Sequence, residues 1–190
     1  MVTVAAALVV VIAASVVFGS QPPATAQRTA RAGAGAGVGF SRLAGRRAPA
    51  FSVASLRDPR AQVSLADLRG RPLVINFWAS TCIPCREEMP AIEQVHRHLG
   101  SSVGFLGIDL YDSRRAAVGF ATRTGVTYLL GFDPSGAVAS SYGVYDLPTT
   151  FFVSASGALV GRQVGAMTEH RLESLVATLF AVHQGHRAAP

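Results

Sequence analysis

The stretch Phe77-Trp78-Ala79-Ser80-Thr81-Cys82-Ile83-Pro84-Cys85-Arg86-Glu87-Glu88-Met89-Pro90 contains the only two cysteines of a 190-residue chain. Two cysteines three positions apart can hold a metal, staple a loop, or exchange electrons with another molecule. Zinc takes four protein ligands in a structural site and three plus water in a catalytic one. The next candidates, His96 and His98, are spaced i,i+2 and do not share a helix face, and His183 and His186 sit in a polar tail. No metal and no cofactor is expected. A staple stabilises more as the loop it closes lengthens, and this loop is almost the shortest available. Redox exchange fits the pair better.

The flanking sequence gives the pair a location. Pro72 to Trp78 is a nearly continuous apolar run, which reads as a strand covered on both faces. Beyond the pair, Met89, Ile92, Val95, His96 and Leu99 recur at helical spacing up to Gly100. Cys82 is thus expected at a helix N-terminus, where unpaired N–H groups and the macrodipole favour an anion and hence an attacking thiolate. Cys85, one turn in, is shielded and can resolve a mixed disulfide. Pro84 removes a donor and stiffens the turn. Glu88 lies on the Cys85 side of the helix, where a carboxylate can take or return the Cys85 proton; an ordinary helix acid is the other reading. Asp109, at the end of a second strand, reads as either an acid approaching the site or a solvated loop residue.

The formal charge of +6 comes entirely from arginine against carboxylates, with no lysine. Residues 28–71 hold nine arginines against Asp58 and Asp67, whereas residues 72–190 hold eight against nine acids. The basicity therefore belongs to the leading segment and not to the folded body. Nucleic-acid binding is not expected, although arginines beside a membrane segment can touch anionic lipid.

Val2 to Phe18 is an uncharged run of 17 residues. It is slightly short of the about 20 that span a bilayer and slightly longer than a usual signal-peptide core. Ala24-Thr25-Ala26 has the small-residue pattern of a cleavage site. Residues 1–26 are expected to direct export, as a signal peptide cleaved near Ala26 or as a retained anchor. No basic residue precedes the run, which a start codon upstream of Met1 would explain. Residues 27–47, rich in Arg, Gly and Ala, read as a flexible tether. The folded domain is expected over 48–185.

Within it, Phe51-Ser52-Val53 reads as a short strand, and Ser64 with Asp67 has capping spacing before Gly70. Val103–Leu110 reads as a strand. Ser113–Thr124 reads as a helix with Val118, Phe120 and Ala121 inward. Asp133-Pro134-Ser135-Gly136 turns into a short helix reaching Tyr142. Thr149–Val153 and Leu159–Val164 form a hairpin, and Thr168 caps a last helix carrying Leu172, Leu175, Val176 and Leu179. The order β-α-β-α-(α)-β-β-α implies an α/β fold with a mixed sheet covered on both faces.

These residues resemble the exported TlpA-like and ResA-like thiol–disulfide oxidoreductases of the thioredoxin superfamily. The resemblance runs from about Pro49 to Phe180. It rests on the cysteine stretch, the leading Val63 to Ser80 block, Pro90 in the first helix, and Tyr142 to Phe151. It implies a thioredoxin fold with a mixed central sheet, helices on both faces, an N-terminal extension and an inserted helix-strand unit between Cys85 and Pro148. It also implies a cis Pro148 beside the disulfide, in a neighbourhood that presents backbone to the incoming peptide. Substrate contacts are expected at Ile83, Pro84, Leu147 and Pro148, and at Trp78, which reads either as flanking the site or as plain core. Two positions depart from relatives: Asn76 stands where thioredoxins have a buried acid, and Thr81 where many relatives have Trp.

The resemblance further implies exchange with thiols of exported proteins, as a reductant in the first place, for example of apocytochrome c. It implies a membrane or exported electron donor. A disulfide-forming oxidant remains an alternative, as does a redox-inactive binding module. A peroxiredoxin is disfavoured, because Ala79 stands where a threonine would precede the reactive cysteine.

Overall fold

A computed structural model describes residues 38–181. The expectations for residues 1–37, the export segment and most of the tether, lie outside them. Among the described residues no helix is long and apolar enough to cross a membrane.

The centre of the sheet is β4 (Leu73–Trp78), buried at all six positions as its unbroken apolar run requires. It pairs in parallel with β5 (Gly104–Leu110) and antiparallel with β7 (Thr149–Val153). β6 (Leu129–Asp133) continues the parallel part beyond β5. β8 (Leu159–Val164) closes the hairpin with β7. With β1 (Gly39–Arg42), β2 (Ser52–Ser55) and β3 (Gln62–Ser64), the order across the sheet is β1-β8-β7-β4-β5-β6-β2-β3.

One face is covered by α1 (Ile83–Leu99), α2 (Arg114–Thr124) and α4 (Glu169–Phe180), whose Met89, Ile92, Phe120, Leu172 and Val176 share a core with Val74 and Phe152. The other face holds α3 (Ala137–Tyr142), with Val138, Ala139 and Tyr142 against Ile75, Phe77 and Phe151. Helices on both faces of a mixed sheet make this the thioredoxin-like α/β fold, with α2 and β6 as the inserted helix-strand unit.

Local chemistry sets the boundaries. Ser113 and Thr168 accept from the N–H groups of Ala116 and Arg171, capping α2 and α4. Gly125 ends α2 with φ 70°, a left-handed turn that glycine adopts without strain. Ser64 Oγ accepts from the Asp67 N–H and donates to its carboxylate at 2.6 Å, around the short 3-10 turn Ala66–Leu68.

Four expectations are corrected. Residues 39–42 do not belong to a free tether: they pair with β8. Phe40 packs edge-on to Phe152, in space left open by Gly161, where a Cβ would approach the Phe40 ring to 2.8 Å. β3 and β6 were not read as strands, because Gln62-Val63-Ser64 is too short to show a period and Leu129-Leu130-Gly131-Phe132-Asp133 carries an interior glycine. Pairing with β2 and β5 draws them in. Val118 points outward, since Ala117, Phe120 and Ala121 at i, i+3 and i+4 define the buried stripe of α2.

Gly107 on β5 marks the closest packing behind the site. A Cβ there would lie 2.8 Å from Leu130 and 2.9 Å from the Trp78 indole nitrogen. Gly107→Ala is expected to destabilise by about 1–3 kcal/mol through overpacking, read as a lower urea midpoint with an unchanged slope.

Candidate active site

β4 ends at Trp78 and α1 begins at Ile83, so the sheet's C-terminal edge delivers the cysteine loop to the helix N-terminus. Cys82 is the N-cap, and its Sγ accepts from the Cys85 N–H at 3.2 Å. The pair is joined as a disulfide with Cα atoms 5.3 Å apart. Cys82 is half-buried and Cys85 fully buried, the asymmetry expected of an attacking and a resolving sulfur. Ile83 is 67 % exposed beside them, with Pro84 also exposed at the start of the helix.

The Leu147–Pro148 bond is cis, as the resemblance implies. It immediately precedes β7, and the register Phe77↔Thr149 sets it alongside the end of β4 and the cysteine loop. Leu147 is partly exposed; Pro148 is buried, and its carbonyl accepts from the Gly165 N–H at 2.9 Å. Trp78 is corrected. It is fully buried, stacked on Phe120 at 5.3 Å and 18°, and has no surface to offer a substrate. Its place on the continuously buried strand, and not its proximity to the cysteines, decides this.

α1 carries two buried carboxyls in contrasting settings. Glu93 loses solvation on burial, but bonds from the Thr127 N–H and hydroxyl and from Arg97 outweigh that and hold its pKa below the usual range. Glu88 is 1 % exposed; burial dominates there and pushes its pKa up to about 7, opposed by donors from the Met167 N–H at 3.0 Å and Asn76 Nδ2 at 2.9 Å. Asn76 Nδ2 also donates to Thr150 Oγ1 at 2.9 Å, tying β4 and β7 to the carboxyl. Glu88 can therefore hold and release a proton near neutral pH, whereas Glu93 stays an anion. Glu88 also lines a surface pocket with Glu87, Ala91 and residues 166–169.

Sequence reasoning missed the partners of this network. Met167 donates through its backbone to Glu88, and the Thr150 hydroxyl accepts from Asn76; both are distant in the chain and without any local pattern. Asp109 is corrected as well: it is no solvated loop acid but fully buried, with Asp112 nearby accepting from the Ser80 N–H and hydroxyl.

The family profile described as Redoxin matches residues 43–179. The chain belongs to the Redoxin family. A similar relative is the thiol:disulfide interchange protein DsbE of Xylella fastidiosa, 34 % identical over 152 residues that cover 79 % of this chain and 76 % of that one. The thiol-disulfide oxidoreductase ResA of Bacillus anthracis is 29 % identical over 130 residues, covering 68 % and 74 %. Among solved structures, a secreted Mycobacterium tuberculosis disulfide oxidoreductase homologous to E. coli DsbE superposes with a TM-score of 0.62 at 27 % identity, covering 68 % of this chain and 96 % of that one. This Redoxin chain is a ResA/TlpA-like thiol–disulfide oxidoreductase of the thioredoxin superfamily, and cysteine-containing proteins are its substrate class.

Proposed function

We propose that the chain works outside the cytoplasm as a reductant of protein disulfides, apocytochrome c among them, with Cys82 attacking, Cys85 resolving and Glu88 moving the proton. The observation that carries this reading is the asymmetric pair itself: a half-buried sulfur capping a helix, a buried sulfur one turn in, and a buried carboxyl poised near neutrality on the same helix. Ile83, Pro84 and Leu147 frame the approach to Cys82 and contact the substrate chain, with the buried cis Pro148 holding Leu147 in place. Relatives described as interchange proteins, and a secreted structural neighbour, support both the chemistry and the location. Residues 1–26 provide export, and a second exported or membrane protein returns the electrons.

In the reduced protein the helix N-terminus stabilises the Cys82 thiolate. Its sulfur attacks one sulfur of the substrate disulfide. A mixed disulfide forms, and the other substrate sulfur leaves as a thiolate that takes a proton from water. Cys85 gives its proton to Glu88 and attacks Cys82 Sγ. The Cys82–Cys85 bond closes, the second substrate sulfur is released, and two electrons have passed to the substrate.

The reduction potential of the Cys82–Cys85 couple, equilibrated against glutathione or dithiothreitol, tests the direction. A reductant is expected toward the thioredoxin end, about −270 mV; a value near about −120 mV makes the protein an oxidant instead.

A further inference from the structure

The arginines of the leading segment play no part in the exchange steps, and the fold gathers several of them at one end. β4 and β5 run in parallel with Leu73 beside Gly104, so their first residues mark the sheet edge opposite to the cysteine loop. The β7–β8 turn, Ser154-Ala155-Ser156-Gly157-Ala158, lies at this edge and carries no charge. Arginines surround it. The Leu159 N–H donates to the Arg46 carbonyl at 2.8 Å, and Arg47 bridges to Ala158. The Gly70 N–H donates to the Ala155 carbonyl at 3.3 Å, which sets Arg69 and Arg71 on either side of that contact. Arg71 Nη1 also donates to the Gly100 carbonyl at 2.9 Å, just beyond α1.

Arg46, Arg47, Arg69 and Arg71 are all exposed. Among the described residues none of the four forms an ion pair, and the side chains of Arg46, Arg47 and Arg69 donate to no group. Asp67, the nearest acid in sequence, is turned to the Ser64 hydroxyl. At the cysteine edge the charges balance: Glu87, Asp112, Asp146 and Glu169 stand against Arg86, Arg114, Arg115 and Arg171. The excess positive charge thus lies at the end of the domain away from Cys82. Like charges held together without counterions work against the compact state, so this group does not serve the fold. It suits an extended anionic surface.

We propose that the edge formed by Arg46, Arg47, Arg69 and Arg71 docks on an anionic phospholipid bilayer and holds the domain with its cysteine loop facing away from the membrane. The proposal goes beyond the exchange chemistry and rests on the reading above only for a place beside a membrane. The chain enters the sheet at Gly39, paired with Val164 near the cysteine edge, and β1 carries it toward Arg46. Residues 27–38 reach at most about 40 Å, more than the roughly 23 Å length of β5. A leading segment held in a bilayer therefore lets either edge face the lipid, and charge selects between them. Each basic residue near an anionic leaflet adds about fivefold to binding, so three supply about a hundredfold bias, which salt screens.

Backbone amide exchange on the full chain tests this, with lipid discs of phosphatidylcholine alone or mixed with phosphatidylglycerol. The mixed discs are expected to slow exchange over residues 69–71 and 154–158, and high salt to restore it. The triple variant Arg46→Gln, Arg47→Gln, Arg69→Gln is expected to lose the protection, while the corresponding triple Lys variant keeps it. Both are expected to reduce insulin in solution as wild type does, which also shows that they fold. Should the Gln variant fail to fold, the salt dependence of wild type replaces it. Equal exchange on the two kinds of disc overturns the proposal. So does protection of the cysteine loop in place of the β7–β8 turn, or protection retained in the Gln variant. Protection by polyglutamate and none by the mixed discs makes the partner an acidic protein and overturns it as well. A wild type that docks but does not reduce insulin counts against the exchange reading alone.

Discussion

Cys82→Ser is expected to bring dithiothreitol-driven insulin reduction down to the uncatalysed background, a loss of roughly 10³-fold or more, since a hydroxyl replaces the only group that starts the exchange. Cys85→Ser is expected to abolish turnover equally but to leave a different trace. Its Cys82 still attacks and cannot be displaced, so a mixed disulfide with substrate accumulates and is seen as a band on a non-reducing gel. The two variants together assign the order of attack. Cys82 is half-buried at the helix N-cap and Cys85 is buried beneath it. A trapped adduct in Cys82→Ser, and none in Cys85→Ser, would reverse the roles.

Glu88→Gln is expected to slow turnover by about 10²-fold, the lower range for loss of a general base, and to change the shape of the pH profile. In the wild type the rate should rise through about 7 as the carboxyl ionises; in the variant that inflection disappears. Stability moves the other way. Glu88 in the folded protein keeps its proton up to about 7, while in the unfolded chain it releases it near its ordinary value of 4.5. Across that interval the unfolded state binds fewer protons, so stability falls as pH rises. Glutamine can still accept from the Met167 N–H and never ionises. The variant is therefore expected to be slower than wild type yet to gain in relative thermal midpoint between pH 5 and 8. An unchanged pH–rate profile would remove Glu88 from the proton transfer.

The redox pair and its setting were legible because they are local. A strand end, two cysteines, a proline and a helical stripe lie within one short stretch, the strand marked by a continuous apolar run and the helix by its 3.6-residue period. Cys82, Cys85 and the burial of β4 follow from it directly. The edges of the sheet were not legible. β1 is four residues long and follows a tract of Gly, Ala and Arg, and its reason for pairing is Phe40 filling the space beside Gly161, more than a hundred positions away. Trp78 was misread for a related reason: nearness to the cysteines in sequence suggested a role at the surface, but its strand carries it into the core against Phe120.

What the sequence determined by itself was the chemistry: two sulfurs at a strand-to-helix junction, with no other thiol in the chain to compete. What only the tertiary structure decided was the protonation around them. Glu88 is an ordinary helix acid until β4, β7 and the loop before α4 close over it and replace water with the Asn76 amide and the Met167 N–H. Asp109 is a strand-end acid until Asp112 turns back onto Ser80 beside it. A carboxyl's affinity for its proton depends on desolvation and on nearby charges from other segments, and no local pattern in the chain encodes either.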